Sequence, residues 1–448
     1  MVSLTFYGGV KEIGGNKILL EDRDARLWLD MGSSFHLGEE YFVDFLQPRE
    51  RLGLRDYFAL DLVPKIPGLY SRDALAHVEF PWRTPEYSGI LITHVHFDHT
   101  NHLRFVDEAL PVHMGEGAKT ILESWEATTV SADLGAHAYR TFRTGDGFDL
   151  DGVEVEPIHV DHSVPGAYGF LLHTSQGVVA YTGDLRRHGP QGRLTDDFIA
   201  AAKEARPIAM ITEGTRVAPE DVRQNITEAQ VKEGGIRLVR EVPGKMVLVT
   251  FPGRDIDRIR TFSEIAEVTG RKFVVSARTA HLLRALRSDE RLQVPDIGGA
   301  DHLLVYNRGQ KPFRWEEDLQ DALKDRVVTA DVLRKSPGEY IVQLDFWQLA
   351  ELIDLEPPAG SMYIHSKSEP FDEDDINDEA LNHWLARFRL CREQLHASGH
   401  LNEAEVEAMI RVVNPQAVYP VHTEHPERFT RFSRQVVQPS RDVPMAIR

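Results

Sequence analysis

Residues Gly89 to His102 constrain this chain more than any other stretch. Their centre, Thr93-His94-Val95-His96-Phe97-Asp98-His99, gathers three imidazoles and a carboxylate within six residues. The preceding Ser88-Gly89-Ile90-Leu91-Ile92-Thr93 is a short apolar, β-branched run opened by glycine, which predicts a buried strand. The polar cluster therefore stands where a strand ends. Neutral imidazole with carboxylate is a donor set for zinc or another borderline divalent ion. A single histidine beside a strand is ordinarily structural, whereas three with an aspartate at a strand-to-helix turn predict a metal or catalytic site. One ion cannot comfortably use all four groups. His94 and His96 project to one side of an extended turn, while Asp98 and His99 fall where the chain curls into a helix, so two adjacent ions are expected, each taking one pair.

The run His-x-His-x-Asp-His resembles the signature of the metallo-β-lactamase superfamily, which implies an αββα sandwich with the metals at one edge. The chain has 448 residues, room for two or three domains with full cores. Its 42% hydrophobic and 27% charged content is that of a soluble globular protein. No apolar stretch reaches the length of a membrane span, and Met1-Val2-Ser3-Leu4-Thr5-Phe6-Tyr7 opens as an alternating strand, not a signal peptide. A cytoplasmic location is expected. A single cysteine, Cys391, excludes an internal disulfide and fits a reducing compartment, with a buried place on a helix as its expected role. The net charge of −19 argues against a polyanionic partner as a global sum, but a local basic groove can exist on an acidic protein.

In chain order, strands are expected at Leu4–Tyr7, Lys17–Glu21 and Arg26–Leu29, the last running into Leu29-Asp30-Met31-Gly32. Asp30 by itself reads as a turn starter. Residues 33 to 87, with Pro48, Pro64 and Pro67, form an irregular connection. Pro111–Met114 reads as a strand and Glu116 to about Val130 as a helix. The alternating strand Gly152–Ile158 leads into His159-Val160-Asp161-His162-Ser163-Val164-Pro165-Gly166, whose rigid Ser-x-Pro-Gly favours His162 as a ligand over His159 on the strand. A hairpin pairs Phe170–His173 with Val178–Tyr181, and the second strand ends in Tyr181-Thr182-Gly183-Asp184. Asp184 can bridge two cations with its two oxygens.

From about residue 205 strands alternate with helices, which predicts a parallel sheet. The expected domains are 1–204, an inserted 205–355, and a return segment 356–448. Arg254, Arg258 and Arg260 recur at helical spacing, as either a solvated face or a basic strip. In the return segment a long amphipathic helix is expected with Leu381, Trp384, Leu385, Phe388, Cys391 and Leu395 as its core stripe. His396-Ala397-Ser398-Gly399-His400, a helix over Asn402–Val413, and Pro420-Val421-His422 follow.

These spacings resemble the β-CASP branch of the superfamily, the nucleic-acid-processing one that includes ribonuclease J. In that branch an α/β domain is inserted into the sandwich, and the chain returns through Gly-His and Pro-Val-His motifs. Asp30, His94-x-His96-x-Asp98-His99, His162 and Asp184 match its four general motifs, and Glu213, His400 and His422 match the three β-CASP ones. His422 is a histidine where DNA-directed members carry another residue, which implies an RNA substrate. Residues 339–344 and 363–369 depart from the ribonuclease J pattern, which leaves exonuclease and endonuclease modes both open. The end of the chain soon after His422 makes a short, archaeal-type form the expectation.

The resemblance implies one ion on His94, His96, His162 and Asp184, and another on Asp98, His99, Asp184 and His422, zinc or else manganese. It implies water activation between the ions with Asp98 as proton acceptor. It also implies His400 as proton donor to the leaving oxygen, Glu213 holding that imidazole, and Asp30 supporting the centre from behind. His396, Ser398 and Gly399 are expected either to hold a terminal phosphate or to be a capped helix start. The expected function is hydrolysis of single-stranded RNA, 5′–3′ and from within, with a second copy of the chain as a further partner. The rivals are a β-CASP DNA nuclease, a small ester or thioester hydrolase, and a non-catalytic RNA scaffold.

Overall fold

Alternation of apolar side chains sets the first two layers. Val2, Leu4 and Phe6 of the strand Val2–Gly8, and Val153 and Val155 of Val153–His159, all enter one core, so two strands far apart in sequence face each other across it. The computed structural model describes residues 1–447 apart from 44, 130, 131, 222 and 369–375; the expected helix end at Val130 and the departure at Glu369 lie outside the described residues.

Three sheets occur among the described residues. The first has the strand order Pro444–Ala446, Val2–Gly8, Lys17–Asp22, Ala25–Leu29, Gly89–Ile92, Val112–Gly115, Tyr139–Phe142. The second runs Val418–Pro420, Ala209–Thr212, Gly177–Tyr181, Tyr168–Thr174, Val153–His159, Phe148–Leu150. Leu27, Leu29 and Leu91 from the first interdigitate with Phe170, Leu172 and Ile211 from the second. Helices Gly192–Ala205 and Glu403–Val413 cover the outer face of the second sheet through Phe198, Ile199, Met409 and Ile410. Helix Glu116–Thr128 and the segments 54–87 and 103–110 cover that of the first. This is the expected αββα sandwich.

The third sheet is wholly parallel, in the order Val327–Thr329, Leu303–Asn307, Lys272–Val275, Tyr340–Gln343, Val247–Thr250, Met362–His365, Cys391–Gln394. Both its faces are buried, Val247 and Val249 on one side, Met246 and Leu248 on the other, which is why its strands read as unbroken apolar runs. Its extent differs from the expected 205–355. Ala209–Thr212 pairs in the second sheet, between Gly177–Tyr181 and Val418–Pro420, and the strands at 362 and 391 pair in the third.

The long helix expected through Leu395 is also corrected. It spans Ile376–Arg387, Arg389 turns left-handed at φ 55°, and Cys391–Gln394 becomes an edge strand on which Cys391 is exposed. Backbone pairing with Met362–His365 outweighs the helical spacing of the apolar residues. Among the described residues, no helix is long and apolar enough to cross a membrane.

Candidate metal centre

Three of the site's groups arrive by the same backbone device at the end of a strand. Asp30 follows Ala25–Leu29 with φ 57°, His422 follows Val418–Pro420 with φ 52°, and Asp184 follows Gly183 at φ 55°. A left-handed residue turns the chain sharply out of the sheet, and Asp, His and Gly are among the residues that tolerate it. Gly89–Ile92 then delivers His94 to His99 to the same edge, where Phe97–Thr100 coils into a single helical turn.

The donors converge in two groups. His94 Nε2 and His162 Nε2 lie 3.0 and 3.1 Å from His96 Nδ1. Nitrogens bound tetrahedrally to one zinc would be about 3.3 Å apart. The second group is Asp98, His99, Asp184 and His422, with His422 Nε2 2.9 Å from Asp98 Oδ2. Asp184 links the groups: its Oδ2 is 3.2 Å from His99, 3.6 Å from His422, 3.7 Å from His94 and 3.9 Å from His400. Buried His99 Nε2 and Asp184 Oδ1 find no hydrogen-bond partner within the protein. Unpaired buried polar atoms of this kind are costly unless something else engages them, so the residues fit divalent cations.

The charges are arranged accordingly. Burial, reinforced by neighbouring imidazoles, pushes His94 and His96 well below the ordinary histidine range and His162 to about 4, leaving neutral rings suited to metal. Burial opposes charge on His99 and His422 as well, but Asp184, Asp98 and Asp30 around His99, and Asp184 and Asp98 around His422, outweigh it and raise both.

Asp30 stands behind this centre. It accepts from Thr93 N at 2.7 Å, His99 Nδ1 at 2.8 Å and Tyr181 OH at 2.6 Å, which fixes the His99 ring with Nε2 aimed at the donors. Glu213, at the end of the strand Ala209–Thr212, receives His400 Nδ1 at 3.1 and 3.0 Å on its two oxygens. Burial disfavours a charged His400, yet Glu213 holds it up at about 9.

The structure thus gathers Asp30, His94, His96, Asp98, His99, His162, Asp184, Glu213, His400 and His422 at strand ends of the two sandwich sheets. His159 is elsewhere, stacked on Tyr168 at 5.0 Å. His396, Ser398 and Gly399 line the adjoining cleft of about 470 Å³. Their hydrogen bonds are made within the protein and tie the loop to its surroundings. Ser398 Oγ accepts from His400 N, Ser398 O from His188 Nε2 at 2.8 Å, and Gly399 O engages His162 Nδ1 at 2.7 Å. The helix start is capped by Asn402 and Glu405, so Ser398 is not its cap. A Cβ on Gly399 would stand 3.0 Å from the His162 ring, which explains the glycine.

The three arginines together make neither a solvated face nor a basic strip. Arg258 is fully buried against Glu228 and Ser366, and Arg254 Nη1 reaches the carbonyl of Val95 at 2.7 Å while stacking over Trp125. Sequence reasoning missed Arg254 in this role. It also missed Thr215, whose hydroxyl touches Glu213 Oε2 at 2.6 Å and His422 Nδ1 at 2.8 Å. Its one signal was its place directly after Glu213-Gly214.

Residues 62–250 match the family described as a Beta-lactamase superfamily domain. A Ribonuclease J of Sinorhizobium meliloti is 27% identical over 346 residues, 75% of this chain and 57% of that protein. Ribonuclease J of Mycobacterium tuberculosis is 23% identical over 94% of this chain and 68% of its own, and that of Helicobacter pylori 22% over 95% and 56%. The chain thus spans little more than half the length of the first and last of these relatives. A crystal structure titled as a protein of unknown function from Enterococcus faecalis V583 superimposes with a TM-score of 0.80 at 23% identity, covering 99% of both chains, a likeness of fold alone. The chain thus carries a match to the Beta-lactamase superfamily domain over residues 62–250 and is similar along most of its length to ribonuclease J.

Proposed function

We propose that this chain is a metal-dependent ribonuclease of the cytoplasm that hydrolyses single-stranded RNA, from the 5′ end and also internally, with the third sheet and its helices as the inserted β-CASP domain. The observation that carries the reading is the His400–Glu213 pair beside Asp184. A hydrolase of small esters would use the metal donors but has no need of a second buried acid poised over them. The ribonuclease J relatives and the histidine at position 422 support RNA.

Two ions are proposed, zinc or else manganese, one on His94, His96, His162 and Asp184 and the other on Asp98, His99, Asp184 and His422. When bound, such ions supply the Lewis acidity that makes water a nucleophile near neutral pH and offsets charge on phosphate oxygens. Asp98 accepts the proton from the attacking water. His400, its Nδ1 committed to Glu213, presents Nε2–H to the leaving ribose oxygen. Asp30 keeps His99 in one tautomer and Glu213 does the same for His400. His396, Ser398 and Gly399 form the end of the cleft proposed to receive a 5′-monophosphate.

The deciding experiment follows RNA labelled at its 3′ end and carrying a 5′-monophosphate or 5′-triphosphate, beside matched DNA and the His422→Ala variant. Progressive shortening from the monophosphorylated end is expected, with internal fragments as the second activity and loss of both in His422→Ala. Metal-loaded protein that leaves RNA intact would refute the reading.

A further inference from the structure

Two aromatic rings at the cleft take no part in this scheme. Phe97 opens the helical turn Phe97–Thr100, between His96 and Asp98 in the chain, and is 37% exposed; Phe35 is 43% exposed. Their centroids are 4.6 Å apart at 86°, an edge-to-face pair, and both line the cleft with Ile13, His96 and Asp98. Phe35 is seated against the backbone of Gly14. A Cβ there would stand 3.1 Å from Phe35 Cδ2 and 2.7 Å from Asp98 Cβ, and Gly14 has φ +78°. Glycine therefore lets the ring lie directly beside the donor loop.

The same cleft is also lined by Arg216, Gln224 and Asn225. A cleft that gathers aromatic rings, polar side chains and cation-holding groups suits a ligand that is planar and aromatic at one end and anionic at the other. A nucleotide within a chain has that form, and aromatic rings stack on any base because every base presents a π-face.

We propose that Phe97, with Phe35 packed against it, is the stacking platform for the base next to the phosphodiester being cleaved. This rests on the ribonuclease reading and deepens it. The platform requires a base and is indifferent to which base. Stacking of this kind is worth about 5- to 150-fold per base.

The test replaces, one at a time, the nucleotides around a defined cleavage position by an abasic residue, and compares wild type with Phe97→Leu and Phe97→Trp, each checked for metal content. Wild type should lose about tenfold or more in kcat/KM at one position next to the cleaved bond. Phe97→Leu should be slower on intact RNA and insensitive to the abasic residue, while Phe97→Trp restores the difference. Discrimination that persists in Phe97→Leu, or is absent in wild type while RNA is cleaved, overturns the platform and leaves the ribonuclease reading standing. Binding of an oligonucleotide carrying 2-aminopurine, measured in chelator, reads the same contact without catalysis. Quenching in wild type that disappears in Phe97→Leu supports the platform even where RNA is not cut, and equal quenching in both refutes it. Phe35→Leu serves as a second variant if Phe97→Leu fails to load metal, and it should weaken the abasic discrimination in the same direction.

Discussion

At the scale of single residues, His400 and Glu213 act as one unit, since the partly exposed imidazole and the buried carboxylate satisfy each other. His400→Ala is expected to lower kcat by about 10²- to 10⁴-fold, and Glu213→Gln by about 10- to 100-fold. The double variant should be little worse than His400→Ala, because the two share one role. Metal content by mass spectrometry should stay near wild type in all three. A second expectation concerns protons. Burial opposes charge on all five imidazoles, but carboxylate neighbours raise His99 and His422, whereas His94, His96 and His162 are lowered. Metal needs neutral imidazole, so loading should release protons from the raised rings and tighten as pH rises, seen as a dependence of calorimetric heat on the ionisation enthalpy of the buffer. The residues proposed to hold metal were legible because they cluster or follow strands at telling spacings. Thr215, Gly399 as partner of His162, and Arg254 were not, because their partners lie 207, 237 and 159 positions away.

At the scale of elements, the donor loop and the return loop are both held from the third-sheet unit by arginines. Arg254 precedes the helix Ile256–Thr269 and grips Val95 between His94 and His96; Arg258 lies in that helix and binds the carbonyls of Ser366 and Ala397. Arg258→Ala would strand the buried carboxylate of Glu228 and is expected to cost about 3–5 kcal/mol in urea unfolding. Arg254→Ala leaves no such charge behind. It should unfold nearly as wild type yet lose about 10- to 100-fold in kcat, because a donor loop displaced by an ångström misplaces the reacting groups. The alternation of strands with helices beyond residue 205 and the helix near Asn402–Val413 were readable from pattern. The strand Cys391–Gln394 was not: its residues are compatible with helix, and only the open edge beside Met362–His365 decides otherwise.

At the scale of the whole molecule, the centre sits on an edge common to two sheets and under a third, so cations there tie together parts of the fold that otherwise meet only by packing. Chelation should therefore lower the thermal midpoint, and restoring metal at a thousandfold excess over its Kd should recover about 4 kcal/mol per site, measured by scanning calorimetry. The αββα layers followed from motif resemblance, whereas the limits of the third sheet did not, since strand pairing is settled by neighbours that sequence order does not reveal. One pair has a consequence in time as well as space. Asp98 and His422 join across 324 positions. During synthesis, a chain that has not yet passed codon 422 lacks the group that completes the second donor set, however well its earlier strands have formed. If the chain cuts RNA as proposed, the message being translated into it meets no complete centre until that residue has been added.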